Sequence, residues 1–119
     1  MCILLVEDET LIRETLTETL IDEGFEVCQA ATGDQAARLI EAPPTVFLLL
    51  MTDIDLPGTR NGVDVARLMH CKHPSLPVLY MTGRPERLRT IGPGEAILIK
   101  PFTLQQMICV VQRLFDGML

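Results

Sequence analysis

The sequence predicts an α/β domain in which a parallel β-sheet carries helices on both faces. Two observations support this prediction. Five short apolar runs alternate along the chain with patterns of helical period, which is typical of strands joined by helical crossovers. Four of the runs also end abruptly in polar residues, as strands do where they leave a buried sheet. The 119 residues suffice for one hydrophobic core, so we expect a single domain over residues 1–119.

The first strand and the first helix follow from the opening residues. A wholly apolar run, Cys2–Val6, is followed by three acids at positions 7–9. From Thr10 onward, apolar residues recur every four positions, which predicts a helix. Gly24 provides a residue for the left-handed conformation in which helices commonly end.

The third strand is the most apolar segment of the chain. Before it, apolar and polar residues alternate over residues 25–30, which predicts a second strand. A helix that begins at Gly33 is predicted to end at the prolines 43 and 44. The run that follows, VFLLLMTDIDLPG at 46–58, predicts a fully buried strand whose tip presents Asp53.

The last part of the chain is regular except at 84–94. We predict a helix from Gly62 to before Pro74, a strand at 77–81, a strand at 96–99 and a final helix at 104–115. The segment 84–94 contains two prolines and two glycines, and its one helical candidate is 86–91. We therefore expect five helices, the fourth of them short or irregular.

Polar side chains follow four of the predicted strands at their carboxyl ends. They are Glu7 and Asp8 after the first strand, Asp53 at the third, Thr82 after the fourth and Lys100 after the fifth. In the flavodoxin-like strand order 2-1-3-4-5 these four strands are neighbours, and ligands bind at their carboxyl edge. We therefore expect a doubly wound, five-stranded, flavodoxin-like sheet whose functional residues meet in one pocket.

The residues of this pocket suit phosphoryl chemistry on a divalent cation. Three carboxylates placed close together repel one another unless a cation shares the site. Oxygen ligands favour Mg²⁺ or Mn²⁺ over soft metals. Lys100 supplies positive charge and Thr82 a hydroxyl donor for phosphoryl oxygens, while Gly83 leaves room beside them. An Asp carboxylate such as that of Asp53 is a competent nucleophile toward phosphorus.

Composition excludes other functions. The chain is 48% hydrophobic and 22% charged, with a net charge of −6, which is unlike a disordered segment. An acidic domain lacks the clustered basic residues that neutralise phosphates, so we expect no direct nucleic-acid binding. No apolar run is long enough to span a bilayer and nothing resembles a signal peptide, so we expect no membrane contact and a cytoplasmic location.

The cysteines and histidines predict no soft-metal site. The four cysteines, which form no CxxC pair, are Cys2, Cys28, Cys71 and Cys109. Three of them lie in apolar runs, where we expect reduced thiols that pack as small hydrophobic groups. His70 and His73 are spaced for one helix face beside Cys71, but a surface helix C-terminus explains them better, because histidines suit the negative end of the helix dipole.

Four motifs together carry a family resemblance. VEDE at 6–9, TDIDLPG at 52–58, MTG at 81–83 and IKPF at 99–102 resemble the receiver domain of two-component response regulators, over the whole chain. The resemblance implies a signalling switch that assists its own phosphorylation and dephosphorylation. The phosphoryl group would come from a phosphohistidine of a sensor histidine kinase or a histidine phosphotransfer protein and would be hydrolysed slowly.

The resemblance also assigns a role to each site residue. It implies that Asp53 is the phosphoacceptor and that Thr82 and Lys100 bind the phosphoryl group. It implies a metal site in which Asp8 is a direct ligand, Glu7 acts partly through water, and Asp55 contributes its backbone carbonyl. A cis peptide bond between Lys100 and Pro101 is a further implication.

Three departures or flanking features bear on how such a switch would work. Receivers commonly carry Tyr or Phe three residues before the lysine, and this chain has Ile97, so the usual aromatic switch is degenerate here. The stretch between Thr82 and Lys100 is shorter than usual, which resembles receivers that act alone or belong to hybrid kinases. Asp55, Gly83 and Arg84 flank the pocket, where a pair between Asp55 and Arg84 would tune hydrolysis.

Two other functions remain open at this point. A haloacid dehalogenase-type phosphatase also uses an Asp-x-Asp sequence, which Asp53 and Asp55 imitate, although that motif normally ends the first strand. A receiver-like interaction module that is never phosphorylated is the second alternative. The output surface departs from the usual pattern, so homodimerisation is compatible with the sequence without being predicted by it.

Overall fold

The structure, a computed structural model, describes residues 2–42, 46–88 and 91–117. Within these ranges the chain forms five strands, four α-helices and one 3-10 turn. In chain order these are β1 (Cys2–Val6), α1 (Thr10–Asp22), β2 (Glu26–Ala30), α2 (Gly33–Glu41), β3 (Phe47–Asp53), α3 (Gly62–Lys72), β4 (Val78–Thr82), the 3-10 turn (Pro85–Arg87), β5 (Glu95–Ile99) and α4 (Leu104–Phe115).

The five strands form one sheet in the order β2-β1-β3-β4-β5. Every neighbouring pair is parallel, so all five carboxyl ends lie along the same edge of the sheet. The predicted flavodoxin-like fold is therefore confirmed. β1 and β3 occupy the centre, which places the end of the most apolar strand in the middle of the carboxyl edge.

Local sequence explains where most helices begin and end. The side chains of Thr32, Asn61 and Thr103 each accept a hydrogen bond from a backbone N–H in the first turn of α2, α3 and α4. Such caps satisfy N–H groups that a helix leaves unpaired at its start. After α1 the chain turns at Gly24, whose φ of +93° is the left-handed conformation predicted there.

The sheet separates two layers of hydrophobic core. The layer under α1 and α4 is the first layer, and it contains Ile3, Leu5, Leu16, Leu20, Leu49, Met51, Leu79, Met81, Ala96, Leu98, Met107, Ile108, Val111 and Leu114. The layer under α2 and α3 is the second layer, and it contains Leu4, Val6, Ala30, Ala36, Ile40, Phe47, Leu50, Ile54, Val65, Ala66, Met69, Val78 and Tyr80. In β1 and β4, and in β3 from Leu49 onward, alternate residues point into opposite layers, as the two-residue period of a strand requires. Phe47 belongs to the second layer although Leu49 belongs to the first, because the register between β1 and β3 shifts between these two residues.

The connection between β4 and β5 corrects the predicted helix count. We expected five helices, the fourth short or irregular; the described residues contain four α-helices, and the predicted fifth helix is α4. A 3-10 turn at Pro85–Arg87 lies where the fourth was expected, and Leu88 is already extended with φ −101° and ψ 119°. The predicted helix at 86–91 includes residues 89 and 90, which lie outside the described residues.

Two expectations about soft ligands have different outcomes. All four cysteines are free, but Cys71 and Cys109 are exposed. The prediction that three cysteines pack as small hydrophobic groups is therefore confirmed for Cys2 and Cys28 and is wrong for the third. The apolar run around it belongs to a helix, and Cys109 lies on the outer side of α4. The predicted surface helix C-terminus is confirmed, because α3 ends at Lys72 and the Nε2 atom of His70 lies 3.0 Å from the carbonyl oxygen of Leu76.

None of the helices in the described part of the chain combines the length and apolar character needed to cross a membrane.

Candidate functional site

Lys100 links two carboxylates at the carboxyl edge of the sheet. Its Nζ atom donates to Oε1 of Glu7 at 2.9 Å and to Oδ2 of Asp53 at 3.1 Å. Glu7 follows β1 and has no exposed surface, while Asp53 ends β3 and is 8% exposed. One ammonium group therefore joins the ends of three strands, as the strand order predicted.

Hydrogen bonds to both the side-chain carboxylate and the backbone carbonyl of Glu7 hold the residue in position. Its other carboxylate oxygen, Oε2, accepts from the backbone N–H of Glu9 at 3.2 Å. Its backbone carbonyl accepts from the guanidinium of Arg13 on α1 at 2.8 Å. Burial raises the pKa of Glu7, while the hydrogen bond from Lys100 acts in the opposite direction.

The pKa of Lys100 reflects the same arrangement from the other side. Burial alone lowers the pKa of a lysine, because it disfavours the charged form. The hydrogen bonds to Glu7 and Asp53 outweigh burial, so the pKa of Lys100 lies above its ordinary value. The lysine is therefore held in its charged form within the pocket.

Three carboxylates at this edge fit a divalent cation. Glu7, Asp8 and Asp53 each offer an oxygen atom, and these atoms all lie within 4.8 Å of one another. Lys100 supplies one positive charge against these three acids, so a further cation would reduce their mutual repulsion. Carboxylate oxygens are hard ligands that suit Mg²⁺ or Mn²⁺. The cluster could thus bind such a metal.

The backbone behind Asp53 is closely packed. The hydroxyl of Thr52 donates to the carbonyl oxygen of Asp53 at 2.8 Å, and the N–H of Gly62 donates to the carbonyl of Ile54 at 2.8 Å. A Cβ atom added to Gly62 would overlap the carbonyl oxygen of Asp53. The start of α3 therefore lies directly against the end of β3 and restricts the position of the Asp53 carboxylate.

Thr82 adds a hydroxyl group next to Lys100. It ends β4, is 1% exposed, and its Oγ1 atom accepts from the backbone N–H of Arg84 at 2.9 Å. A hydroxyl that accepts one hydrogen bond still has its own proton to donate. The backbone N–H of Lys100 donates to the carbonyl of Thr82 at 2.8 Å, which keeps the two residues side by side. Gly83 has open space where a side chain would be.

The residues predicted to flank the pocket lie at the surface, and the predicted switch position lies on β5. Asp55 and Arg84 are exposed, and their mutual pairing stays a prediction, as does the backbone carbonyl of Asp55 as a metal ligand. Ile97 is half-buried and lies opposite Tyr80 of β4. The peptide bond between Lys100 and Pro101 is cis, as the family resemblance implied.

Sequence reasoning missed two supporting residues. Arg13 holds the carbonyl of Glu7, yet in the sequence it is only one polar residue on an amphipathic helix. Gly62 lies against Asp53, yet in the sequence it is only the first residue of a predicted helix. Both roles depend on contacts between elements, and neither leaves a signal in local spacing.

Comparisons with known proteins agree with this site. The family described as "Response regulator receiver domain" matches residues 3–112. The chain is 32% identical to the response regulator protein FleR of Pseudomonas aeruginosa, over 93% of this chain and 24% of that protein.

Solved structures show the same fold. A response regulator receiver protein from Sinorhizobium medicae superposes with a TM-score of 0.87 at 28% identity, covering 100% of this chain and 97% of that one. The receiver domain of the hybrid histidine kinase CckA superposes with a TM-score of 0.83 at 27% identity, covering 97% and 99%.

The extent of these matches limits what they establish. The chain spans about a quarter to a half of the length of the curated relatives it matches. The shared part is the receiver domain rather than the remainder of those proteins. With the family matching nearly the whole chain and the strand order and acidic pocket in agreement, this chain belongs to the response regulator receiver domains of two-component systems.

Proposed function

We propose that Asp53 accepts a phosphoryl group from a phosphohistidine on a sensor histidine kinase or a histidine phosphotransfer protein. The observation that carries this proposal is the bridge from Lys100 to both Glu7 and Asp53. It places a permanent positive charge beside the carboxylate that would attack phosphorus. Positioning and charge neutralisation supply most of the catalysis in phosphoryl transfer.

The transfer exchanges one bond to phosphorus for another. A carboxylate oxygen of Asp53 forms a bond to phosphorus as the bond from phosphorus to the imidazole nitrogen breaks, and that nitrogen keeps the electron pair. Lys100 balances charge on the phosphoryl oxygens, and Thr82 donates its remaining hydroxyl proton to one of them. Later attack by water on phosphorus releases inorganic phosphate and restores the carboxylate.

Glu7, Asp8 and Asp53 would hold Mg²⁺ at this site, with the backbone carbonyl of Asp55 as a further ligand. Mn²⁺ offers the same oxygen-ligand chemistry. The cation supplies charge neutralisation for the carboxylates and the phosphoryl group. Because Lys100 and Glu9 already contact both oxygens of Glu7, Asp8 and Asp53 are the better direct ligands and Glu7 suits a contact through water.

An apolar cleft beside the site suits the partner that brings the phosphohistidine. It has a volume of about 570 Å³ and lies between α1 and the segment that joins β5 to α4. Leu11 and Leu104, which line it, are 79% and 41% exposed. Lys100 lines the same cleft, so an apolar helical surface seated on Leu11 would bring its histidine to Asp53. The proposed setting is the cytoplasm, where kinases draw on ATP.

The residues around the pocket mouth would set the lifetime and the readout of the phosphorylated state. Asp55, Gly83 and Arg84 border the path of the attacking water in this proposal. Ile97 takes the place of the usual switch aromatic and has a stiff, apolar side chain, so the readout would depend on repacking of β5 rather than on exposure of a hydroxyl. Homodimerisation is compatible with this proposal and is not required by it.

Labelling with acetyl phosphate tests the proposal. We expect the wild-type protein with Mg²⁺ to gain the mass of one phosphoryl group, and we expect the chelator EDTA to prevent the gain. The Asp53→Asn variant should not be labelled, because an amide is a poor nucleophile. The matched control is Asp22→Asn, which changes an exposed aspartate at the end of α1 and should be labelled like the wild type.

Two outcomes would contradict the proposal. Undiminished labelling of folded Asp53→Asn would move the phosphoacceptor to another residue. Folded wild-type protein that is never labelled, with Mg²⁺ present, would instead support an interaction module that works without phosphorylation.

A further inference from the structure

Cys2 and Cys28 lie together at the end of the sheet opposite the acidic pocket. Cys2 opens β1, and Cys28 lies in the neighbouring strand β2, opposite Leu4. Cys2 and Leu4 project to the same side of β1, since side chains alternate along a strand. Both cysteines pack against the second layer and are half-buried. Their Sγ atoms are 2.8 Å apart.

The separation places the two thiols close to bonding. A disulfide bond is about 2.05 Å long, so the sulfur atoms have less than about 1 Å to move. The strands on which they lie are hydrogen-bonded neighbours, and both side chains already point toward each other.

We propose that Cys2 and Cys28 form an oxidation site, at which a peroxide converts the two thiols into a reversible disulfide between β1 and β2. Disulfides in reducing compartments are typically transient and redox-sensing. The site would thus report oxidants by joining the edge strand β2 covalently to the central strand β1.

The reaction needs one molecule of hydrogen peroxide. The sulfur of Cys2 attacks one peroxide oxygen, the O–O bond breaks, and the thiol proton leaves with the other oxygen as water, so that Cys2 becomes a sulfenic acid. The sulfur of Cys28 then attacks the sulfur of Cys2. The S–O bond breaks, and the hydroxyl leaves as a second water with the proton of Cys28. The two sulfurs together lose two electrons, and the peroxide gains them.

The pKa of Cys28 favours Cys2 as the thiol that reacts first. The two thiols lie within hydrogen-bond distance of each other, and either sulfur can act as donor or acceptor. Burial, together with the neighbouring Cys2, raises the pKa of Cys28 to about 11. Cys28 therefore keeps its proton at neutral pH and is the weaker nucleophile toward peroxide, because the thiolate is the reactive form of a cysteine. It reacts second, with a sulfenic acid that forms within its reach.

The other two cysteines provide a matched control. Cys71 lies on α3 and Cys109 on α4, and both are exposed. These helices cover opposite faces of the sheet, so Cys71 and Cys109 cannot approach each other within one molecule. Exposed thiols oxidise on their own or between molecules, and a double Cys71→Ser, Cys109→Ser variant removes both reactions.

Mass spectrometry of the purified, reduced protein tests the proposal. With one equivalent of hydrogen peroxide, we expect the intact protein to lose the mass of two hydrogen atoms. Digestion without reductant should yield one cross-linked pair of peptides that contains Cys2 and Cys28, and dithiothreitol should restore the original mass. The Cys71→Ser, Cys109→Ser variant should behave in the same way, whereas Cys2→Ser and Cys28→Ser should not lose two hydrogens.

Thermal unfolding gives a second readout. A disulfide between residues 2 and 28 closes a loop of intermediate length, so we expect oxidation of the double variant to raise Tm by roughly 10 °C. Labelling of Asp53 by acetyl phosphate should not change, because the cysteines lie at the start of β1 and the acids lie beyond its end. The proposal is therefore independent of the phosphoacceptor assignment.

Three results would overturn it. The first is the addition of oxygen to Cys2 and Cys28 separately, without a cross-link. The second is a set of cross-links that form only between molecules, through Cys71 or Cys109. The third is an unchanged mass of the peptides that contain Cys2 and Cys28. All three are read on the wild-type protein, so the test holds even where a serine variant folds poorly.

Discussion

The carboxyl ends of β1 and β3 differ sharply in packing from the outer face of β5. At the first region, Glu7 has no exposed surface, and both of its carboxylate oxygens accept hydrogen bonds. At the second region, Ile99 is 55% exposed although it belongs to a strand. The opposite face of β5 is covered, since Leu98 is buried in the first layer.

The difference follows from which elements cover each face. Helices α1 and α4 cover the first layer as far as β5, the last strand of the sheet. On the opposite face, α2 and α3 bury residues of β1, β2, β3 and β4, and within the described residues β5 contributes none to the second layer. Between β4 and β5 the described chain forms only the 3-10 turn at Pro85–Arg87.

This contrast suggests different roles for the acidic pocket and for the outer face of β5. Chemistry requires groups that are held in place, and contacts from several strands hold the acidic pocket. A change of state requires a surface that can repack, and the face of β5 around Ile97 is the less covered one. The following predictions test each side of the comparison, from the largest expected effect to the smallest.

The largest effect is expected where packing is closest. Substituting Gly62→Ala places a Cβ atom against the carbonyl oxygen of Asp53, so the end of β3 or the start of α3 must move. We expect a loss of about 3 kcal/mol in the free energy of unfolding, measured by urea denaturation. Gly83→Ala is the matched control, because a Cβ there meets open space, and we expect it to change stability by less than about 0.5 kcal/mol. Equal losses in both variants would show that the β3–α3 junction is not tightly packed.

A smaller effect should separate the two faces of β5. Leu98 is 8% exposed and Ile99 is 55% exposed, although they are adjacent in the strand. We expect Leu98→Ala to lower the free energy of unfolding by about 2–3 kcal/mol through the cavity that it leaves, and Ile99→Ala to lower it by less than about 1 kcal/mol. Urea denaturation of the pair measures the contrast. If Ile99→Ala costs as much as Leu98→Ala, the outer face of β5 is covered after all.

The smallest effect concerns a polar contact on the more open face. The hydroxyl of Tyr80 donates to Oε2 of Glu95 at 3.1 Å, and Oε1 of Glu95 accepts from the N–H of Gly92 at 2.6 Å. Burial raises the pKa of Tyr80, and Glu95 raises it further. At neutral pH, Tyr80→Phe should lower the free energy of unfolding by about 1 kcal/mol.

The stabilising effect of Tyr80 should decrease at high pH. The folded state keeps the phenol protonated to higher pH than the unfolded chain does. The stabilisation is therefore complete below the unfolded-state pKa of about 10 and is lost as pH rises above it, by up to about 1.4 kcal/mol per unit. We expect the stability curves of wild type and Tyr80→Phe to cross at about pH 11. Since Tyr80 is the only tyrosine, curves that stay parallel would show that its phenol is not protected.

Much of the fold and the centre of the site could be predicted from the sequence. Apolar residues that recur every two or every four positions predict the strands and α1 to α3 to within a few residues of their observed bounds. These repeats are visible in the sequence because an element that packs on a core buries one face, and the residues of that face recur at the period of the element. The strand-end positions of Asp53, Thr82 and Lys100 follow from the same patterns, because parallel strands bring their carboxyl ends to one edge. The 3-10 turn at Pro85–Arg87 could not be predicted in this way, because the glycines and prolines of the segment 84–94 interrupt any regular apolar repeat.

By itself, the sequence determined the alternation of strands and helices and the polar residues at the strand ends. The strand order that brings those residues together was an expectation taken from the flavodoxin-like fold, and the structure confirmed it. Only the tertiary structure decided which residues restrain that group: Lys100 between Glu7 and Asp53, Arg13 on the carbonyl of Glu7, and Gly62 against Asp53. It also decided that Cys2 and Cys28 meet, although 25 residues lie between them. Local patterns record whether a side chain is buried, but the partner of a buried side chain is set by the packing of distant segments, which no local pattern encodes.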